Sequence, residues 1–296
     1  MSTSSLPLNV QLQRCLIAIL CFSAYIPAND PLASFHSRFP VMATFGVAAP
    51  FDPSYKFVTS PFLSPGALAA VRALLGLYTL ATLGTVFGFN VARGTAESFF
   101  SYFTELSFIG LTAYYLTAAV HTVAYAHSRT YPLRRWPRIF QFLHVLLQTT
   151  ITTFPFLVTI VFWVLLASPD VFQTRYSTWS NISIHALNSL FALIEILLTS
   201  TPPAPWLALP VHIVMLGGYL GVAYITHATQ GFYTYGFLDP AKGKALLAGY
   251  IVGIAVGQVV VFLLVRGVVV LRERVAGKMG SVPEKELVVE KESSSV

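Results

Sequence analysis

The sequence predicts an all-α polytopic membrane bundle with at least six transmembrane helices. Three observations carry this. Of the 296 residues, 55% are hydrophobic and only 10% are charged. A soluble domain carries roughly 25% charged residues. Mean hydropathy is +0.68. The apolar residues fall in long runs of the length a bilayer requires, about 20 residues per helix. Those runs are too long and continuous for the alternating ten-residue strands of a membrane barrel.

The first strong run is 66–90, entered through Pro65 and Gly66. Arg72 lies one or two turns inside it and is read as snorkelling to the surface. The second run is 101–125. The third, 139–168, holds threonines at 149, 150, 152 and 153 and a kinking Pro155. Threonine hydroxyls can bond the preceding turn and stay within a helix. The fourth, 178–199, and the fifth, 205–226, are joined by the short PPAP link at 202–205. The sixth is 244–268, closed by the basic stretch RGVVVLRER.

The chain therefore divides into an N-terminal segment 1–65, a helix bundle 66–275 and a flexible tail 276–296. Residues 12–28 and 41–50 are short apolar runs, each read as a marginal or interfacial membrane segment. The first lacks a clear cleavage site and is expected to stay in the mature chain. Cys15 and Cys21 fit neither a metal-ligand pattern nor a disulfide framework. The net charge of +6 is spread between apolar runs, which argues against a nucleic-acid partner.

Loop charge sets the expected orientation. Arg129, Arg134, Arg135 and Arg138 follow the second run, and Arg266, Arg272, Arg274 and Lys278 close the sixth. An up-and-down path puts both groups on one side, and the positive-inside rule makes that side cytoplasmic. The tail is then cytoplasmic too.

That topology gathers polar residues at the opposite end. Thr104 and Glu105 begin the second run, Asn181 and His185 begin the fourth, and His227 closes the fifth. Along the fourth run, Asn181, His185, Asn188 and Glu195 recur at spacings of four, three and seven, which is one helical face. Such a stripe belongs toward a bundle interior, because polar groups facing lipid are costly. It can glue helices or line a site. His185 and Glu195 lie about 15 Å apart along the axis at 1.5 Å per residue. Glu195 is therefore read as an interior structural acid or an ion-path residue. His121, His144 and His212 are read as helix-contact residues.

Thr104 and His185 share one membrane depth, so a nucleophile and a base could meet there. A threonine hydroxyl is a weak nucleophile until a base takes its proton, and histidine does so near neutral pH. Thr104 could equally cap its helix or bond the preceding turn. No HExxH motif, GxSxG elbow or phosphate-binding glycine loop is present.

At these residues a family resemblance enters. SYFTEL (101–106), HTVAYA (121–126), TFPFLVTIVFW (153–163), WSNISIHALNSLFALIE (179–195) and THATQGFYTYGFLDP (226–240) occur on successive runs. In order and placement they resemble the FAR-17a/androgen-induced protein family, particularly its fungal membrane members. The likeness covers roughly 50–275. It implies a multipass threonine hydrolase of fatty-acid esters of hydroxy fatty acids. By the same resemblance, Thr104 stands at the nucleophile position and His185 at the active-site histidine. The chain departs from the animal members in its longer N-terminal region and in Glu105. Asn181 is expected to orient His185 or to donate an amide to the oxyanion. Asn188, Glu195 and His227 are expected to form a structural or polar pocket. The implied chemistry needs no cofactor and no metal. The implied partner is a membrane lipid or lipid ester, and the implied location is the endoplasmic reticulum or another endomembrane. Two other readings stay open: a small-solute transporter or channel using Glu195, and a structural membrane protein.

Overall fold

The computed structural model describes residues 40–280. The segment at 12–28, both cysteines and the tail from 281 lie outside the described residues. Among the described residues there is no strand. Six helices are long and apolar enough to cross a membrane: Pro65–Ala92, Phe103–Ser128, Arg138–Leu166, Arg175–Leu198, Ala208–Gln230 and Lys244–Lys278. The chain is an integral multipass membrane protein with an all-helical bundle. These helices are spans one to six below.

Local sequence explains the ends. Ser64 caps span one by accepting the Ala67 amide at 3.3 Å, and Pro65 occupies the first turn, where a missing N–H costs nothing. Span two starts at Phe103, two residues later than the apolar run suggests, because Ala96–Ser101 winds as a 3₁₀ helix. Span four opens with a Thr174–Ser177 capping box. Span five stops at Gly231, whose φ of +80° supplies the left-handed cap. The last helix runs on to Gly280.

Span three is broken. Its helix ends at Ile151 and resumes at Phe154. Pro155 cannot donate to the Ile151 carbonyl, so the ladder fails there. The threonines then bond the turn behind them, Thr149 to Leu146 O at 2.7 Å and Thr153 to Thr149 O at 3.0 Å. His212 of span five plugs the break, 3.0 Å from Thr149 Oγ1 through Nε2 and 3.4 Å from Thr153 Oγ1 through Nδ1. Gln258 of span six reaches Nδ1 at 3.2 Å. His212 is thus a helix-contact residue, as its sequence position suggests.

Spans one and two pack most closely. A β-carbon at Gly76 would lie 3.3 Å from the Leu116 amide nitrogen and 3.4 Å from the Tyr115 carbonyl carbon. Close backbone approach of this kind is how membrane helices gain packing contacts. Gly76→Val is expected to cost about 1–3 kcal/mol through overpacking, and Gly76→Ala much less. Thermal melting of the detergent-solubilised variants checks this. Large apolar residues such as Leu74, Val214, Ile225 and Leu264 stay exposed on the periphery, where lipid covers them at no cost.

The 45–58 segment is irregular and packs on the bundle. Phe45, Val47, Phe51, Phe57 and Val58 are buried against Tyr131, Leu133, Val145, Ala208 and Phe262. They close the end of the bundle opposite Thr104. Asp52 holds the segment in shape, accepting from Lys56 N at 2.8 Å, Phe57 N at 3.2 Å and the Tyr131 hydroxyl at 2.6 Å. Burial and the Asp52 charge both push the Tyr131 phenol above its ordinary pKa, so it stays a donor.

This closure corrects the reading of Arg72. The side chain does not snorkel; it is wholly buried. Its Nε donates to Glu195 Oε2 at 3.2 Å and its Nη2 to Glu195 Oε1. Its Nη1 donates to Phe57 O at 2.8 Å and to Thr122 Oγ1 at 2.7 Å. Tyr114 adds a hydroxyl to Glu195 Oε1 at 2.7 Å. A fork-to-fork pair with its remaining donors placed is the form in which a charge survives burial. Both Glu195 oxygens thus accept hydrogen bonds, from Arg72 and Tyr114.

Candidate active site

At the other end, spans two, three, five and six line an open apolar cavity of about 200 Å³. Its walls include Leu157, Val158 and Phe162 from span three, Leu216 and Leu220 from span five, and Ile254 from span six. The loop between spans five and six folds across it with Tyr235, Phe237 and Leu238. Thr104 reaches this cavity from the first turn of span two.

Thr104 is buried, with one hydroxyl beside it. The Tyr235 hydroxyl lies 3.3 Å from Thr104 Oγ1 and 3.4 Å from Thr104 N. Tyr102 precedes the helix without offering a side-chain cap, so the first-turn amide of Thr104 is free for that contact. Burial, chiefly, and the neighbouring Tyr219 push the Tyr235 phenol well above its ordinary pKa. It keeps its proton and can donate. The loop is tied down around it. Tyr219 donates to Ser101 O at 3.1 Å and meets Thr234 Oγ1 at 3.1 Å, and Tyr235 stacks on Phe237 at 5.2 Å.

His185 sits within a π-helical turn, Ser183–Leu187. Such bulges re-aim side chains and recur at functional sites. Its Nδ1 lies 3.2 Å from Asn181 O. A carbonyl only accepts, so Nδ1 carries the proton and Nε2 presents a lone pair. Among the described residues Nε2 makes no hydrogen bond. The imidazole stacks on Phe162 at 3.7 Å and 12°. Phe162 also lines the cavity that holds Thr104. Trp163 Nε1 donates to His185 O at 3.1 Å and steadies the turn. Thr104 thus lines the cavity, whereas His185 does not: its ring stacks on Phe162, which does, and the two residues do not bond each other.

The other sequence candidates separate. The Asn181 side chain does not serve His185. Its amide donates to Val171 O and Ser177 O, each at 2.9 Å, and it is the Asn181 backbone that orients the imidazole. Asn188 is helix glue. It donates to Pro155 O at 3.3 Å and accepts from Thr159 Oγ1 at 3.0 Å, joining spans three and four beside the break. Glu195 belongs to the Arg72 pair at the far end. His227 stacks on Tyr233 at 3.8 Å and leaves Nδ1 without a partner among the described residues. None of these four lines the cavity, and neither does His185. His121 is a contact residue between helices, as expected. It packs against Trp136 and His144, but neither ring nitrogen has a hydrogen-bond partner among the described residues.

Sequence reasoning passed over Tyr235 as a partner of Thr104. The signal was present, since the YTYGFLD loop returns at the membrane depth of Thr104. Nothing in a linear pattern pairs residues 131 positions apart. Among the described residues no group of three or more His, Cys, Asp or Glu side chains is placed to hold a metal ion.

Comparison with known proteins gives one result. A family model described as FAR-17a/AIG1-like protein matches residues 71–268, more than half of the chain. No curated protein and no solved structure matches.

Proposed function

The chain belongs to the FAR-17a/AIG1-like protein family, and from that premise we propose that it is a membrane-embedded threonine hydrolase of long-chain lipid esters. The observation that carries the reading is a buried threonine hydroxyl at the wall of an apolar cavity, with a protonated phenol beside it. An apolar slot suits a fatty acyl chain, and a polar pair at its wall suits the ester. Fatty-acid esters of hydroxy fatty acids are the substrate class proposed here. The endoplasmic reticulum or another endomembrane is the proposed location.

The ester enters laterally from the bilayer. His185 Nε2 takes the Thr104 proton as Oγ1 attacks the ester carbonyl carbon. This step requires the Phe162 ring to turn aside, bringing imidazole and hydroxyl within about 2.6–3.2 Å. The oxyanion accepts the Tyr235 hydroxyl, and the Thr104 first-turn amide supplies a second donor. Collapse breaks the ester C–O bond. The leaving alkoxide takes the proton back from His185 and departs as the hydroxy component. Water then attacks the acyl-threonine, giving its proton to His185; collapse breaks the Oγ1–acyl bond, His185 returns the proton to Thr104 Oγ1, and the fatty acid is released.

A panel of long-chain esters incubated with the purified full chain tests this. Turnover is expected in the wild type. Tyr235→Phe should lower kcat on the order of 10²-fold with KM little changed, the pattern of a lost oxyanion donor. An unchanged kcat would remove Tyr235 from the mechanism. No turnover across the panel, in protein that elutes as folded, would remove the hydrolase.

A further inference from the structure

We propose that Tyr219 is a positioning residue for the Thr104 site: its hydroxyl ties together the two backbone segments that carry Thr104 and Tyr235, and so sets the contact between them. Tyr219 lies half-buried in span five, on the wall of the cavity. Its hydroxyl meets two partners. One is Ser101 O at 3.1 Å, three residues before Thr104, and the other is Thr234 Oγ1 at 3.1 Å, next to Tyr235. A carbonyl only accepts, and a phenol has one proton to give. The Tyr219 proton therefore goes to Ser101 O, and the Thr234 hydroxyl donates to Tyr219 Oη. The result is a directed chain from Thr234 through Tyr219 to Ser101, bridging the loop and the entrance of span two. Ser101 and Thr234 are both buried, so water does not readily replace a lost partner.

The contact that this chain sets is loose by itself. Tyr235 approaches Thr104 only to 3.3 and 3.4 Å. An oxyanion donor acts at roughly 2.7–3.1 Å from the charge it stabilises, so its placement decides its worth. The loop that carries it is bounded by Gly231 and Gly243, at φ +80° and +121°. Only glycine takes up such backbone freely, and it holds it loosely. Beyond Tyr235 and Thr234, the loop is held to the bundle by the Tyr224 hydroxyl, 3.4 Å from Leu238 O. The Tyr219 bond is the shortest of these and enters one residue from Tyr235. The Tyr219 ring is itself fixed, edge-on to Phe103 at 5.1 Å. Tyr219 makes no hydrogen bond to Thr104 among the described residues, so it acts through Tyr235.

This deepens the hydrolase reading and rests on it for the reaction, but the latch itself is measured without turnover. Two measurements on the purified full chain in nanodiscs test it. The first is ester turnover. Tyr219→Phe keeps the ring and removes the hydroxyl. It should lower kcat roughly tenfold with KM little changed, the effect of one lost hydrogen bond. Thr234→Val should do the same from the loop side, and Thr234→Ser, which keeps the donor, should recover most of that loss. In a Tyr235→Phe background, Tyr219→Phe should cost nothing further, because its effect runs through the Tyr235 hydroxyl. The second measurement is hydrogen–deuterium exchange of peptides covering 231–243, expected roughly tenfold faster in Tyr219→Phe and in Thr234→Val. A wild-type kcat in Tyr219→Phe overturns the proposal. So does an equal loss in the Tyr235→Phe background, or unchanged loop exchange in the folded variants. Turnover with unchanged exchange keeps the hydrolase and discards the latch. Faster exchange in a protein that turns over no ester keeps the latch and discards the hydrolase.

Discussion

Glu195→Leu is expected to cost roughly 3–5 kcal/mol and to leave little folded protein in detergent, because it strands the Arg72 guanidinium in the bundle interior. A margin of that size is a large part of a typical protein's total stability. Arg72→Met should be comparably severe, since it leaves the Glu195 carboxylate with only the Tyr114 hydroxyl. Glu195→Gln keeps the shape but not the charge, so it too should fall well below wild type. The informative variant is the double one. Arg72→Met with Glu195→Leu removes both charges together and should recover a substantial part of the loss. Full recovery is not expected, because Phe57 O and Thr122 Oγ1 also lose their donor. Fluorescence-detected gel filtration after a heating series reads all four variants. A double variant no better than the worse single would contradict the ion-pair account.

The second large effect concerns chemistry and leaves the fold alone. Thr104→Ala is expected to abolish ester turnover, since it removes the atom that forms the acyl bond. His185→Ala should lower kcat by about 10²–10⁴-fold, the usual contribution of a positioned general base. Both should melt near the wild-type temperature. Thr104 contributes only long contacts of 3.3 and 3.4 Å to Tyr235, and the His185 ring bonds only a carbonyl one turn back. Phe162→Ala gives a further check on the route between them. Removing the ring that separates imidazole from cavity should leave Thr104 reactive and change kcat without abolishing it. Total loss in a folded Phe162→Ala protein would show that the stacked arrangement is itself the working one.

Much of this was readable in the residues. Six apolar runs of bilayer length fixed the class and the alternation of ends. The alternation alone placed Thr104, Asn181, His185 and His227 at one depth. Asn188 and Glu195 were correctly assigned to the interior, because a polar stripe cannot face lipid at low cost. What the sequence hid were partnerships across long separations. Arg72 and Glu195 are 123 positions apart, and Arg72 sits shallow enough in its span for snorkelling to be the natural reading. Residues 45–58 fold over that end and Phe57 O accepts from Arg72, which an irregular stretch does not announce. The π turn at Ser183–Leu187 was equally hidden, so the Asn181 side chain was credited with an orienting role that its backbone performs. Tyr235 reaches Thr104 by a loop closure of the same kind.

The central claim is that Thr104 is the nucleophile, and adduct mapping tests it most directly. The purified full chain is incubated with a long-chain fluorophosphonate, digested, and searched for the modified peptide by mass spectrometry. Thr104→Ala and His185→Ala are run beside it, with folding checked by gel filtration. The account predicts a single adduct on Thr104, absent in Thr104→Ala and strongly reduced in His185→Ala. An adduct on a serine that persists in Thr104→Ala with turnover intact, or no adduct in folded protein that turns over esters, would contradict it.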